Sequence, residues 1–163
     1  EAEYDLLIRA KTASLLSGAC DLGALKAPPR IRHALRGFGE ALGMAFQIVD
    51  DLLDYTGEET VTGKPSGNDL REHKVTLPLI YALPRLSSEA RREVATLMAT
   101  PEPGDPQIAR VIGFVANAGG LDYARRRAHS LAEQAERELD ALQPSAARET
   151  LRDSIAYVLD RRR

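Results

Sequence analysis

The chain of 163 residues sets 22 lysines and arginines against 24 aspartates and glutamates, a formal net charge of −2, so no broad basic field is offered to a nucleic-acid backbone. Its length suits one domain with its own core, and no apolar run approaches the roughly 18 residues of a membrane span. A single cysteine, Cys20, excludes an intramolecular disulfide framework and fits a reducing compartment such as the cytoplasm, while 44% hydrophobic but only 5% aromatic residues, with abundant Ala, Leu and Arg, favour helices over sheets.

Between Tyr4 and Cys20, Leu7, Ile8, Leu15 and Leu16 share helical spacing, with Lys11 and Thr12 between them. Gly18, Gly23 and Pro28-Pro29 predict that this helix ends near residue 22. Cys20, close to Leu16 and Ala19, reads as a small buried residue rather than a nucleophile. From Arg30 a long helical pattern runs through Ala34, Leu35, Phe38, Leu42, Ala45, Phe46, Val49, Leu52 and Leu53. Gly37, Gly39 and Gly43 lie inside it and each costs about 1 kcal/mol against Ala in an exposed helix. Close packing against a neighbouring helix would explain them.

Near the end of that helix stands Phe46-Gln47-Ile48-Val49-Asp50-Asp51-Leu52-Leu53-Asp54. At helical spacing Gln47, Asp50, Asp51 and Asp54 fall within an arc of roughly 100°, and the apolar residues take the opposite side. Gathered carboxylates repel unless a cation joins them, and Mg²⁺ is commonly shared between one or two carboxylates and a substrate phosphate. Taken alone, D-D-x-x-D is better explained as a solvated acidic face.

Tyr55-Thr56-Gly57 stops the helix, and Glu58 to Asp69 reads as a loop. Gly63-Lys64 does not make a nucleotide-binding phosphate loop: Gly57 stands at the wrong distance, Pro65 follows the lysine and no strand leads in. Leu70 to Leu83 follows with Lys74, and Pro78 marks either a first helical turn or a kink. Further helices are predicted from Ser87-Ser88-Glu89 to about Met98, from Ile108 to Ala118, from Leu121 to Leu142 and from Ala146 to Leu159, before Arg161-Arg162-Arg163. His33, His73 and His129 read as surface residues. The fold class is all-α.

Two lysines, Lys64 and Lys74, follow the acidic face closely, and Lys11-Thr12 lie on a helix that could pack beside it. Carboxylates for a metal together with separate ammonium groups are what a Mg²⁺-bound diphosphate requires. The run Gly43-x-x-Phe46-Gln47-x-x-Asp50-Asp51-x-x-Asp54, then Gly63-Lys64-x-x-Gly67-x-Asp69-Leu70, then Lys74-x-Thr76-Leu77-Pro78, resembles the second aspartate-rich region of the trans-isoprenyl diphosphate synthases. Lys11-Thr12-Ala13-Ser14-Leu15 is similar to that family's Lys-Thr segment, and the resemblance covers about residues 4 to 83 well.

The resemblance implies an isoprenoid-synthase helical bundle and head-to-tail prenyl transfer, in which an allylic diphosphate ionises and isopentenyl diphosphate attacks the cation. It implies Mg²⁺ as cofactor, with Asp50 the leading ligand and Asp51 and Asp54 beside it directly or through waters. Lys11, Lys64 and Lys74 would hold the allylic diphosphate, and Thr12 and Gln47 would face the developing cation. A cytoplasmic homodimer without a transmembrane segment is implied as well.

Two departures stand out. His73 occupies the position before the last lysine where the family usually has Gly. Only one D-D-x-x-D is present, whereas the family's site uses two facing aspartate-rich helices. Residues 1–163 are therefore expected to be the C-terminal portion of a single catalytic domain. The N-terminal half, or a companion polypeptide, would complete the bundle and cover apolar faces left open. Two alternatives compete. A terpene cyclase of the same fold is disfavoured because Asn68-Asp69-Leu70-Arg71-Glu72 lacks the spacing of that class's second metal motif. A non-catalytic, regulatory subunit would have no need of Gln47, the aspartates and the lysines.

Overall fold

The computed structural model describes residues 1–57 and 66–160. Among these residues the chain is helical, with no β-strand, as composition and spacing predict. In order it forms α1 (Ala2–Ile8), a π-helical turn (Arg9–Ala13), α2 (Ser14–Gly23), α3 (Pro29–Thr56), α4 (Asn68–Arg71) and α5 (Leu77–Ala82). Then follow α6 (Ser88–Ala99), α7 (Asp105–Asn117), α8 (Gly120–Glu138) and α9 (Ala146–Leu159); short 3₁₀ turns, Leu83–Arg85 and Leu139–Ala141, extend α5 and α8.

The helix limits follow from local chemistry. Pro29 opens α3, where its fixed φ suits a first turn and its missing N–H costs nothing. Pro78 does the same for α5, which settles the choice between first turn and kink. Ser87 Oγ accepts the Ala90 N–H at 3.1 Å to cap α6, and Ser145 Oγ accepts that of Arg148 at 3.2 Å to cap α9. The stripe read along α3 is buried at Phe38, Leu42, Ala45, Val49 and Leu52.

The described residues group into two compact units, one built around Asp50–Arg125 and the other around Ala2–Val49 with residues 126–160. The first has a core of Tyr55, Leu70, Leu79, Leu97, Ile108, Val111 and Val115, supplied by α3 to α7. In the second, α3 lies close against the π-helical turn: a Cβ on Gly43 would sit 2.6 Å from the Ala13 Cα. The close packing expected at the α3 glycines is thus present at Gly43. Gly43→Ala is expected to cost about 2 kcal/mol by overpacking, net of its gain in helix propensity. Gly113→Ala, in α7 with nothing within 4 Å of the added Cβ, should gain about 0.5–1 kcal/mol. Urea unfolding of the two variants checks the contrast.

The spacing from Tyr4 to Cys20 predicts an uninterrupted α-helix, and the structure differs by one π-helical turn at Lys11-Thr12. There the Ser14 N–H donates to the Arg9 carbonyl, five residues back, and the Ser14 hydroxyl takes the Ala10 carbonyl at 2.9 Å. The side chain thereby serves the carbonyl that the Ser14 amide has left.

Candidate functional site

Asp50 is exposed near the end of α3, Asp51 is buried at 6% exposure, and Asp54 is half-buried. Neither oxygen of Asp54 is idle. Oδ1 accepts the Asn68 N–H at 3.0 Å, and Oδ2 accepts the Asp69 N–H at 2.9 Å. The Asp54 carbonyl accepts the Gly67 N–H at 2.7 Å, so three consecutive amides converge on one residue. Burial holds the Asp54 carboxyl above the usual carboxylate range; the two amides and the Lys74 charge oppose this, and the Asp69 charge adds to it.

Asp69 is therefore part of this acidic turn, a role that its place in the sequence motif does not signal. Its carbonyl accepts the Lys74 N–H at 2.8 Å, and its Oδ1 lies 3.3 Å from Lys74 Nζ. Lys74 is exposed and also pairs with Glu72, whose hydrogen bond is the chief cause that raises the lysine's pKa. Burial drives the Tyr55 phenol far above its usual range, and the charges of Asp69, Asp54 and Asp51 push the same way. The charges of Asp51, Asp54 and Asp69 are thus all felt at one tyrosine, and that of Lys74 at Asp54.

In the other unit, Thr12 Oγ1 donates to Gln47 Oε1 at 3.0 Å, and Gln47 is 5% exposed. The two polar residues singled out in sequence are joined directly. The π turn presents Thr12 there, while Lys11 on the same turn is exposed. Lys64, Glu58-Glu59 and Arg161-Arg163 lie outside the described residues. Cys20 is half-buried, with its thiol pushed up by burial, in keeping with a non-nucleophilic role.

Among the described residues, no three His, Cys, Asp or Glu side chains stand together as a ready-made metal shell. The donors present are hard carboxylate oxygens, with Asp50 exposed and buried Asp51 next to it in sequence. Such a set suits Mg²⁺, which keeps most of its coordination for water and phosphate. It suits a thiophilic metal poorly.

His33, His73 and His129 are exposed as expected. His73 has φ 58°, the left-handed region that glycine enters freely, which explains physically why glycine is the family's usual choice before this lysine. His73→Gly should gain about 0.5–1 kcal/mol and His73→Val should lose about 1–2 kcal/mol, by chemical denaturation.

A family model described as polyprenyl synthetase matches residues 1–113. The heptaprenyl diphosphate synthase component 2 of Geobacillus stearothermophilus is 39% identical over 153 residues, 93% of this chain and 47% of that protein. An all-trans-nonaprenyl-diphosphate synthase (geranyl-diphosphate specific) of Rhodobacter capsulatus is 40% identical over 97% of this chain and 48% of its own length. The crystal structure of a polyprenyl synthase from Caulobacter crescentus CB15, complexed with calcium and isoprenyl diphosphate, matches with a TM-score of 0.93. It is 32% identical over 100% of this chain and 50% of that one. The chain spans about half the length of the relatives it matches.

Proposed function

The chain belongs to the polyprenyl synthetase family, and on that footing we propose that it is the C-terminal half of a Mg²⁺-dependent prenyltransferase domain. The reaction is head-to-tail: an allylic diphosphate loses its diphosphate, the double bond of isopentenyl diphosphate attacks the allylic cation, and a proton is lost. The product is one isoprene unit longer and all-trans. The observation that supports the reading most is the linked set of Asp54, the Asp69 amide and carboxylate, and the Lys74 ammonium at the acidic end of α3.

Asp50, with Asp51 next to it, would hold the Mg²⁺. The metal supplies positive charge to the diphosphate oxygens as the allylic C–O bond breaks. Lys74 adds an ammonium group to the same leaving group, and by resemblance Lys11 and Lys64 do likewise. Thr12 and Gln47 are joined by a hydrogen bond, and by resemblance they would be the polar pair that meets the cation and places the proton transfer. Buried Ile48, Val49 and Leu52 belong to the apolar side of α3.

The complementary half of the fold is the proposed partner, carrying the other aspartate-rich helix. Leu15 at 73%, Leu22 at 66% and Leu6 at 64% exposure leave α1 and α2 with an apolar face in need of cover. A companion supplied as a separate polypeptide is the second form of this reading, favoured by the name "component 2" carried by the Geobacillus relative. A homodimer in the cytoplasm is the assembly and location that accord with the family resemblance. In this chain no described helix is long and apolar enough to cross a membrane.

The test is transfer from radiolabelled isopentenyl diphosphate to allylic primers by the complete protein, this chain together with its complementary half. Label should enter an elongated product with Mg²⁺ and none should enter with EDTA. A folded, complete protein that leaves every primer unextended with Mg²⁺ would refute the proposal.

A further inference from the structure

We propose that Asp54 is a positioning residue rather than a metal ligand: its carboxylate staples the backbone of Asn68 and Asp69 to the end of α3 and so fixes where Asp69 holds Lys74. The proposal rests on the prenyl-transfer reading for its functional consequence, and on bond geometry alone for the staple.

Both oxygens of Asp54 are already engaged, at 3.0 Å and 2.9 Å, by amides that open α4. Those N–H groups belong to the first turn of a helix and have no intrahelical acceptor, so a carboxylate is their natural partner. Bonds from amides to an ionised acceptor are about twice as strong as neutral ones. Half-buried Asp54 contrasts with Asp50, an exposed residue of the same helix.

From Asp54 the restraint passes in two steps. The Asp69 backbone is held by Asp54, and Asp69 in turn holds Lys74 twice, through its carbonyl at 2.8 Å and its carboxylate at 3.3 Å. The separation of Asp54 from Lys74 in sequence is thus closed by a chain of hydrogen bonds. A carboxylate in this role sets the position of an ammonium group that binds diphosphate. Removing it should weaken diphosphate binding while leaving the metal in place.

Amide hydrogen exchange on the complete protein, with Mn²⁺ and inorganic diphosphate as binding probes, separates the two roles. In Asp54→Asn one acceptor oxygen is replaced by an NH₂ that faces an N–H. Exchange at Asn68, Asp69 and Lys74 should then quicken by about tenfold or more. Mn²⁺ affinity should stay within about threefold, and diphosphate affinity should fall about tenfold. Asp50→Asn should do the reverse, leaving those amides protected and lowering Mn²⁺ affinity more than about tenfold.

Unchanged exchange in Asp54→Asn would overturn the staple. A loss of Mn²⁺ affinity equal to that of Asp50→Asn would overturn the assignment of Asp54 as a positioning residue. If Asp54→Ala fails to fold, the isosteric Asn variant carries the test. Absence of Mn²⁺ and diphosphate binding by the wild type would count against prenyl transfer, while the exchange rates would still decide the staple.

Discussion

Asp50→Asn in the complete protein is expected to lower kcat for chain elongation by about 10³-fold, equivalent to about 4 kcal/mol of lost transition-state stabilisation. The substitution keeps the side chain's shape and removes its negative charge. Asp50 is the exposed member of the three aspartates on α3, and Asp54 has both oxygens occupied by backbone amides. On the proposed reading, attachment of a metal to this helix would depend chiefly on Asp50. Since on that reading the metal would act on charge that grows as the C–O bond breaks, its loss should appear in kcat more than in KM for isopentenyl diphosphate. Stability should barely change, because an exposed carboxylate makes little contribution to folding; a melting shift within about 2 °C is expected. Steady-state kinetics across a Mg²⁺ titration measures the effect. A fall in kcat below about tenfold at saturating Mg²⁺ would remove Asp50 from the metal site.

The parts of this site that could be read in sequence are those that follow from spacing within one element. Gln47, Asp50, Asp51 and Asp54 share a side of α3 because steps of three and four residues dictate it. The apolar stripe from Phe38 to Leu52 is legible for the same reason. Thr12 and Gln47 could be named from the resemblance, but their direct hydrogen bond could not. It depends on a π turn, and the i→i−5 pairing of Ser14 with Arg9 leaves no mark in hydrophobic periodicity. Asp54 as an acceptor of the Asn68 and Asp69 amides was likewise hidden. Its partners are backbone groups 14 and 15 residues further along the chain, and a backbone N–H has no residue identity to read. The left-handed φ of His73 was foreshadowed only by the family's usual glycine at that position, because histidine itself signals no such conformation.

Gly67→Ala is expected to be among the most destabilising single changes in the unit around Asp50–Arg125, costing about 3 kcal/mol. Two effects combine there. Gly67 has φ 78°, which an L-residue occupies at a cost of about 1–2 kcal/mol. An added Cβ would also stand 2.3 Å from Ile108 Cγ2 and 3.2 Å from Ile112 Cδ1, and Ile108 is part of the buried core. Overpacking of that kind costs about 1–3 kcal/mol, and the lower freedom of Ala in the unfolded chain returns about 0.4–1 kcal/mol. His73 supplies the internal control. It holds φ 58° with an exposed side chain, so left-handed backbone alone is tolerated in this segment. The clash, then, should be separable from the strain. Ile108→Leu removes the Cγ2 methyl, so Gly67→Ala with Ile108→Leu should fall short of the sum of the single changes by about 1 kcal/mol. Strict additivity in urea unfolding would mean that the close approach to Ile108 is not the source of the cost. Because the Gly67 amide is one of the three that meet Asp54, the same variant should also loosen the turn that carries Asp69 and Lys74. Weaker diphosphate binding should therefore accompany the loss of stability, even though residue 67 presents no side chain that could touch the ligand.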